Sequence, residues 1–158
     1  MTNEFVAKKI GELVAFTMVS GEILDRGGAP LLEKLGQETV LDITEKNQLH
    51  GETLRRFAEE AGVLDTVTAK TEKTAEKLRK LHEVYIGDAW QNPVEVCEWL
   101  GFFEGAAIVH WELLRGAAAT INNEALLVLT EEAVTYHYEL LEKFGSELEE
   151  VGQAKAAD

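Results

Sequence analysis

Only two prolines, Pro30 and Pro93, interrupt the 158 residues, so no proline stands between them or after the second. Proline removes a backbone donor and ends helices, while alanine, leucine, glutamate and lysine, which dominate here, favour them. This combination predicts long helices and an all-α chain rather than a strand-and-turn architecture. A single bundle domain over residues 1–152, followed by a frayed tail at 153–158, is the expected organisation.

Charge narrows the function classes. Fifteen basic residues against 29 acidic give a net charge of −14, which cannot assemble a basic groove for nucleic acid. The longest apolar stretch, Phe102 to Leu114, contains Glu104, His110 and Glu112, so no membrane span is expected. The lone Cys97 has no partner for an internal disulfide, and Met1-Thr2-Asn3-Glu4 lacks a basic-then-apolar leader, which points to the cytoplasm.

Five helices follow from the apolar spacing. The first runs from Phe5 to Leu24, stopped by Gly27-Gly28 and Pro30, with a stripe of Val6, Ile10, Leu13, Thr17, Gly21 and Leu24. A second apolar side, Phe5, Phe16, Val19 and Ile23, suggests burial on two faces or against a second subunit. Leu31 to Gly36 reads as a short helix or turn. Asp42 or Thr44 is placed to cap the second helix, which ends before Gly62 and turns Ile43, Asn47, His50, Leu54, Phe57 and Ala61 inward. The third helix, about Thr66 to Ile86 with Asp65 as cap, has a thin apolar side of Val67, Leu78, Leu81 and Tyr85, as a covering or crossover helix would. Pro93 starts the fourth, which carries Val96, Trp99, Leu100, Phe103, Ala107, His110, Leu114 and Ala117. Beyond Asn122-Asn123, the fifth presents Leu126, Thr130, Ala133, His137, Leu141, Phe144 and Leu148. Helices two and five share a pattern, because Glu45, His50, Glu52 and Phe57 recur at the same spacing as Glu132, His137, Glu139 and Phe144. Four matches in thirteen positions can arise by chance; if the recurrence is a true repeat, it implies a doubled helical hairpin joined by the third helix.

Chemistry in a helical bundle comes from ionisable side chains on the inward stripes. His50, His110 and His137 fall there, with His110 and His137 within about 5 Å of the same height at 1.5 Å per residue. Three imidazoles converging from three helices would make a metal's coordinating set; a single histidine on an apolar face is ordinarily a neutral, hydrogen-bonded core residue. Thr17 and Asn47 could share the layer. His82 is expected at the surface near Lys80 and Glu83. Glu104, among Leu100, Phe103, Ala107 and Ile108, is the strongest acidic candidate, either buried with a cation or half-exposed at a subunit contact. No Glu-x-x-His occurs anywhere: Asn47, Ala107 and Val134 stand three residues before His50, His110 and His137. Cys97, between Glu95 and Glu98, is not an activated nucleophile. Gly27-Gly28 lacks the spacing and lysine of a phosphate loop, and Trp90, Trp99 and Trp111 are packing groups rather than a stacking platform.

Leu31-Leu32-Glu33-Lys34-Leu35 through Asn47-Gln48-Leu49-His50-Gly51-Glu52-Thr53-Leu54-Arg55-Arg56-Phe57, together with Phe103-Glu104-Gly105-Ala106-Ala107-Ile108, resembles the ferritin-like superfamily, in its YciE/YciF-type bacterial stress protein flavour. The resemblance implies a four-helix bundle of two hairpins with an additional helix, a homo-oligomer (dimer or larger), and iron or manganese at the bundle centre. It matches His50 to the histidine of a Glu-x-x-His and Glu104 to a helix glutamate. Asn47 replaces the motif's glutamate, which implies a remodelled, histidine-rich centre in place of ordinary ferroxidase chemistry. Three neutral imidazoles would also suit zinc or copper. Two alternatives stay open: a metal-free bundle acting as an oligomeric scaffold or interaction module, and a haem or other apolar ligand held between the fourth and fifth helices.

Overall fold

The computed structural model describes residues 3–157, and among them the only regular structure is helical. Five long helices form it: α1 (Glu4–Leu35), α2 (Gln37–Glu60), α3 (Leu64–Tyr85), α4 (Pro93–Thr120) and α5 (Glu124–Ala157). A single 3-10 turn, Ala89–Gln91, leads into α4. No helix among the described residues is long and apolar enough to cross a membrane.

Helix α1 is the axis of the packing. It lies against α2, α3 and α4, and α4 in turn carries α5. This accounts for its two apolar sides: Val6, Ile10 and Leu13 are fully buried, and so are Val19 and Ile23 on the other side. Phe5, at 50% exposure, is the exception. Asn3 caps the helix through a 2.9 Å bond from the Val6 amide to its side-chain oxygen. Helix α3 covers α1 closely enough that a β-carbon at Gly11 would stand 2.7 Å from the Val67 carbonyl oxygen. Thr71 bridges the same seam, its hydroxyl 3.1 Å from the Gly11 carbonyl oxygen.

The helix boundaries differ from the sequence reading in four places, each for a local reason. The chain does not stop at Gly27-Gly28; it kinks at Gly28 (φ 55°, ψ −147°) and resumes as helix to Leu35, with Pro30 tolerated in the new first turn. Helix α2 starts at Gln37, because Gly36 (φ 85°) supplies the reversal that a side-chain cap at Asp42 or Thr44 would have marked. Helix α3 begins at Leu64 after Val63, with no side-chain cap, and Asp65 sits inside its first turn. Helix α5 runs through Gly152 to Ala157 instead of fraying there.

Candidate functional site: a buried Glu104–His137–His50 cluster

Three of the four candidate metal ligands, Glu104, His137 and His50, meet in the core. Glu104 projects from the α4 face that packs on α5, among buried Leu100, Phe103, Ala107 and Ile108. It is 1% exposed, and its Oε2 lies 2.5 Å from His137 Nδ1 on α5. A carboxylate accepts, so Nδ1 is the donor of this bond and Nε2 is the ring nitrogen left outside it. That Nε2 is buried with no partner.

His50 faces it from α2. The two imidazole centroids are 5.8 Å apart, and both nitrogens of His50 are buried without partners. Burial and, secondarily, the neighbouring His137 push the His50 pKa down to about 4, so His50 is a neutral lone-pair donor at pH 7. Trp111 stacks on His137 at 6.0 Å and stands edge-on to His50 at 5.3 Å. Tyr136 closes the other side, edge-on to His50, and its hydroxyl donates to Asp42 at 2.9 Å. Burial first, then that Asp42 partner, holds the Tyr136 phenol well above its ordinary range.

His110 does not join this cluster. Its Nδ1 donates to the Ala106 carbonyl oxygen at 2.9 Å, and its Nε2 turns toward Glu12 Oε2 at 3.4 Å on α1. The helical register explains the difference. His110 lies on the α4 side that meets α1, whereas Glu104 and Trp111 lie on the side that meets α5. Glu12 binds Lys9 at 2.7 Å and Lys70 at 3.0 Å. Burial pushes the Glu12 carboxyl up, but the two lysines outweigh it and hold the group below its usual range.

Asn47 donates to Ser20 Oγ at 3.0 Å, pinning α2 to α1 one turn from His50. Thr17 satisfies itself on the Val14 carbonyl oxygen and offers nothing to the cluster. His82 is the plain correction: expected at the surface, it is 4% exposed, ringed by Trp90, Trp99 and Phe103. Burial lowers its pKa to about 4. Cys97 is fully buried and its thiol is pushed up to about 11, principally by burial. The sequence reading missed Tyr136, whose place beside His50 depends on the packing of α5 against α2. Glu12, which falls off the main stripe of α1 and could be brought inward only by that helix's second apolar side, is buried there at 8% exposure.

Among the described residues, no set of three or more His, Cys, Asp or Glu side chains forms a complete metal cage. No family model, curated protein or solved structure matches the chain.

Proposed function

We propose that the protein is a ferritin-like helical bundle that binds one transition-metal ion between His50 and His137, with α1–α2 and α4–α5 as the two hairpins and α3 as the covering helix. The observation that carries this reading is the buried arrangement in which Glu104 fixes the His137 tautomer while His137 Nε2 and both His50 nitrogens have no protein partner. Buried nitrogen lone pairs without donors cost stability, on the order of 1–3 kcal/mol each, unless something fills the gap. The 5.8 Å separation of the two ring centres leaves both imidazoles close enough to serve one ion together. The Glu104–His137 pair is the carboxylate–histidine arrangement that orients a metal-binding imidazole and raises its basicity.

The donor set does not fit the dinuclear iron centre of the superfamily. Such a centre takes carboxylates from several helices, and here Asn47 and Val134 occupy the Glu-x-x-His glutamate positions while Asn47 bonds to Ser20. The proposed site is therefore mononuclear. Iron or manganese follows from the resemblance, and zinc suits the two imidazoles. A bound ion of this class supplies Lewis acidity or, if redox-active, electrons for oxidative chemistry. The chain's own contribution is to hold two neutral imidazoles in register, to keep the Nδ1 proton of His137 on Glu104, and to wall the site with Trp111 and Tyr136.

A second reading, a metal-free bundle whose polar cluster is a structural relic and whose role is assembly, is favoured by the absence of a third protein ligand among the described residues. Thermal melting with and without added metal separates the two. An ion bound at 100 times its Kd raises stability by about 2.7 kcal/mol. The proposal expects an upward shift with manganese, ferrous iron or zinc that His50→Ala abolishes. Identical melting of both proteins at every metal concentration favours the second reading.

A further inference from the structure

The outward face of α4 carries an apolar seam that none of the described residues covers. Phe102, Ala106, Val109, Leu113 and Gly116 alternate four and three residues apart, the repeat of a coiled-coil interface. Phe102 is 63% exposed, Val109 58% and Leu113 45%. From Trp99 through Trp111 the only Asp, Glu, Lys or Arg on the helix is Glu104, which is buried. Farther along, Glu112 and Arg115 pair with each other, so two copies of a chain of net charge −14 can approach along this face without repulsion.

The seam is also self-complementary. Phe102 lies seven residues before Val109 and Gly116 seven after it, about 10 Å to either side at 1.5 Å per residue. At Gly116 the surface opens into an apolar groove of about 270 Å³ between α4 and the start of α1, lined by Phe5, Val6, Leu113, Ala117 and Ile121. We propose that this face is a homodimer interface in which two α4 helices cross antiparallel about a two-fold axis at Val109. Phe102 of each copy fills the Gly116 groove of the other, and Leu113 packs over the small pair Gly105-Ala106. An isologous contact requires this, a projection and a recess at equal distances from one point.

The area is sufficient. The exposed parts of Phe5, Tyr85, Phe102, Val109 and Leu113 amount to about 450 Å² per copy, taking roughly 200 Å² for an aromatic side chain. With Leu81 and Val84 beside Tyr85 adding to the patch, the pair buries on the order of 1,000 Å², the threshold of a specific interface. This interface is independent of the metal site.

Sedimentation velocity on the full chain over a range of concentrations tests it. The native protein is expected to be a dimer. Val109→Glu and Val109→Lys each place like charges on the axis and should raise the dissociation constant by about thirtyfold or more, as at the centre of an interface. Mixed, the two variants should recover a dimer, because position 109 meets only itself. Gly116→Trp fills the groove from within; its new β-carbon meets no atom within 4 Å in the chain, so circular dichroism should stay native while the dimer dissociates. A monomer at every concentration, an oligomer that survives both Val109→Glu and Gly116→Trp, or a failure of the mixed variants to pair would overturn the proposal, the first also if the face instead takes up an unrelated helix.

Discussion

Glu104 and His137 form the most deeply buried side-chain ion-pairing contact among the described residues, a carboxylate oxygen 2.5 Å from a ring nitrogen with the two side chains 2% and 3% exposed. Neither helix gains from holding such a group unless the other supplies its partner, so the pair ties α4 to α5 at one register. Glu104→Leu leaves the His137 Nδ1 donor unpaired in the core and should cost about 1–3 kcal/mol, the usual penalty for a buried donor without an acceptor. Urea denaturation measures this. A loss below about 1 kcal/mol would show that His137 finds another acceptor.

Replacing His50 should act in the opposite direction. Both its nitrogens lack partners and the ring is fully buried, so His50→Leu in protein stripped of metal should be neutral or stabilising by about 1–2 kcal/mol. The same variant should lose every stability gain from added metal. Destabilisation of the stripped protein, measured by chemical denaturation in chelator, would reveal a hydrogen bond to His50 that the fold does not display.

Acid should unfold the protein through two histidines. His50 and His82 have folded pKa values near 4 against 6.5 for an ordinary histidine, so the unfolded chain binds more protons between those values. Their contribution is complete above about pH 6.5 and is lost as pH falls toward 4, on the order of 3 kcal/mol for each. His82→Phe should flatten the decline by about half. A profile unchanged by that substitution would mean that His82 titrates alike in both states.

Much of this was legible in the sequence. Helix number and most of the inward stripes followed from proline scarcity and apolar spacing, and Asn47, His50 and His137 were each placed on a buried face. Glu104 was left between burial and a subunit contact, and Leu81 and Tyr85, expected on the apolar side of the third helix, are each 44% exposed. Side-chain direction was not legible. His110 has the right spacing for the core, but its side chain turns along α4 toward Glu12, which only packing against α1 decides. His82 was misplaced because its burial depends on Trp90 and Trp99, contributed from beyond the end of its own helix. The start of α2 was missed because a glycine reversal at Gly36 replaced the expected polar cap.

Close approach of α1 and α3 should make Gly11 intolerant. An alanine there would place its β-carbon 2.7 Å from the Val67 carbonyl oxygen and 2.8 Å from the Lys70 β-carbon. Helix propensity alone would favour alanine by about 1 kcal/mol, so a net loss of about 1–3 kcal/mol on Gly11→Ala would report the clash. Gly101→Ala, with open space around it, is the control and should stabilise slightly. Thermal unfolding of the two variants side by side distinguishes them.

Elemental analysis by mass spectrometry, on protein purified without an affinity tag or chelator and on its His50→Ala, His137→Ala and His110→Ala variants, tests the metal site most directly. Close to one transition-metal ion per chain is expected in the native protein and in His110→Ala, and a near-complete loss in His50→Ala and His137→Ala. Protein that stays free of metal after reconstitution with iron, manganese and zinc, or that holds it equally well without His50 and His137, would contradict the account.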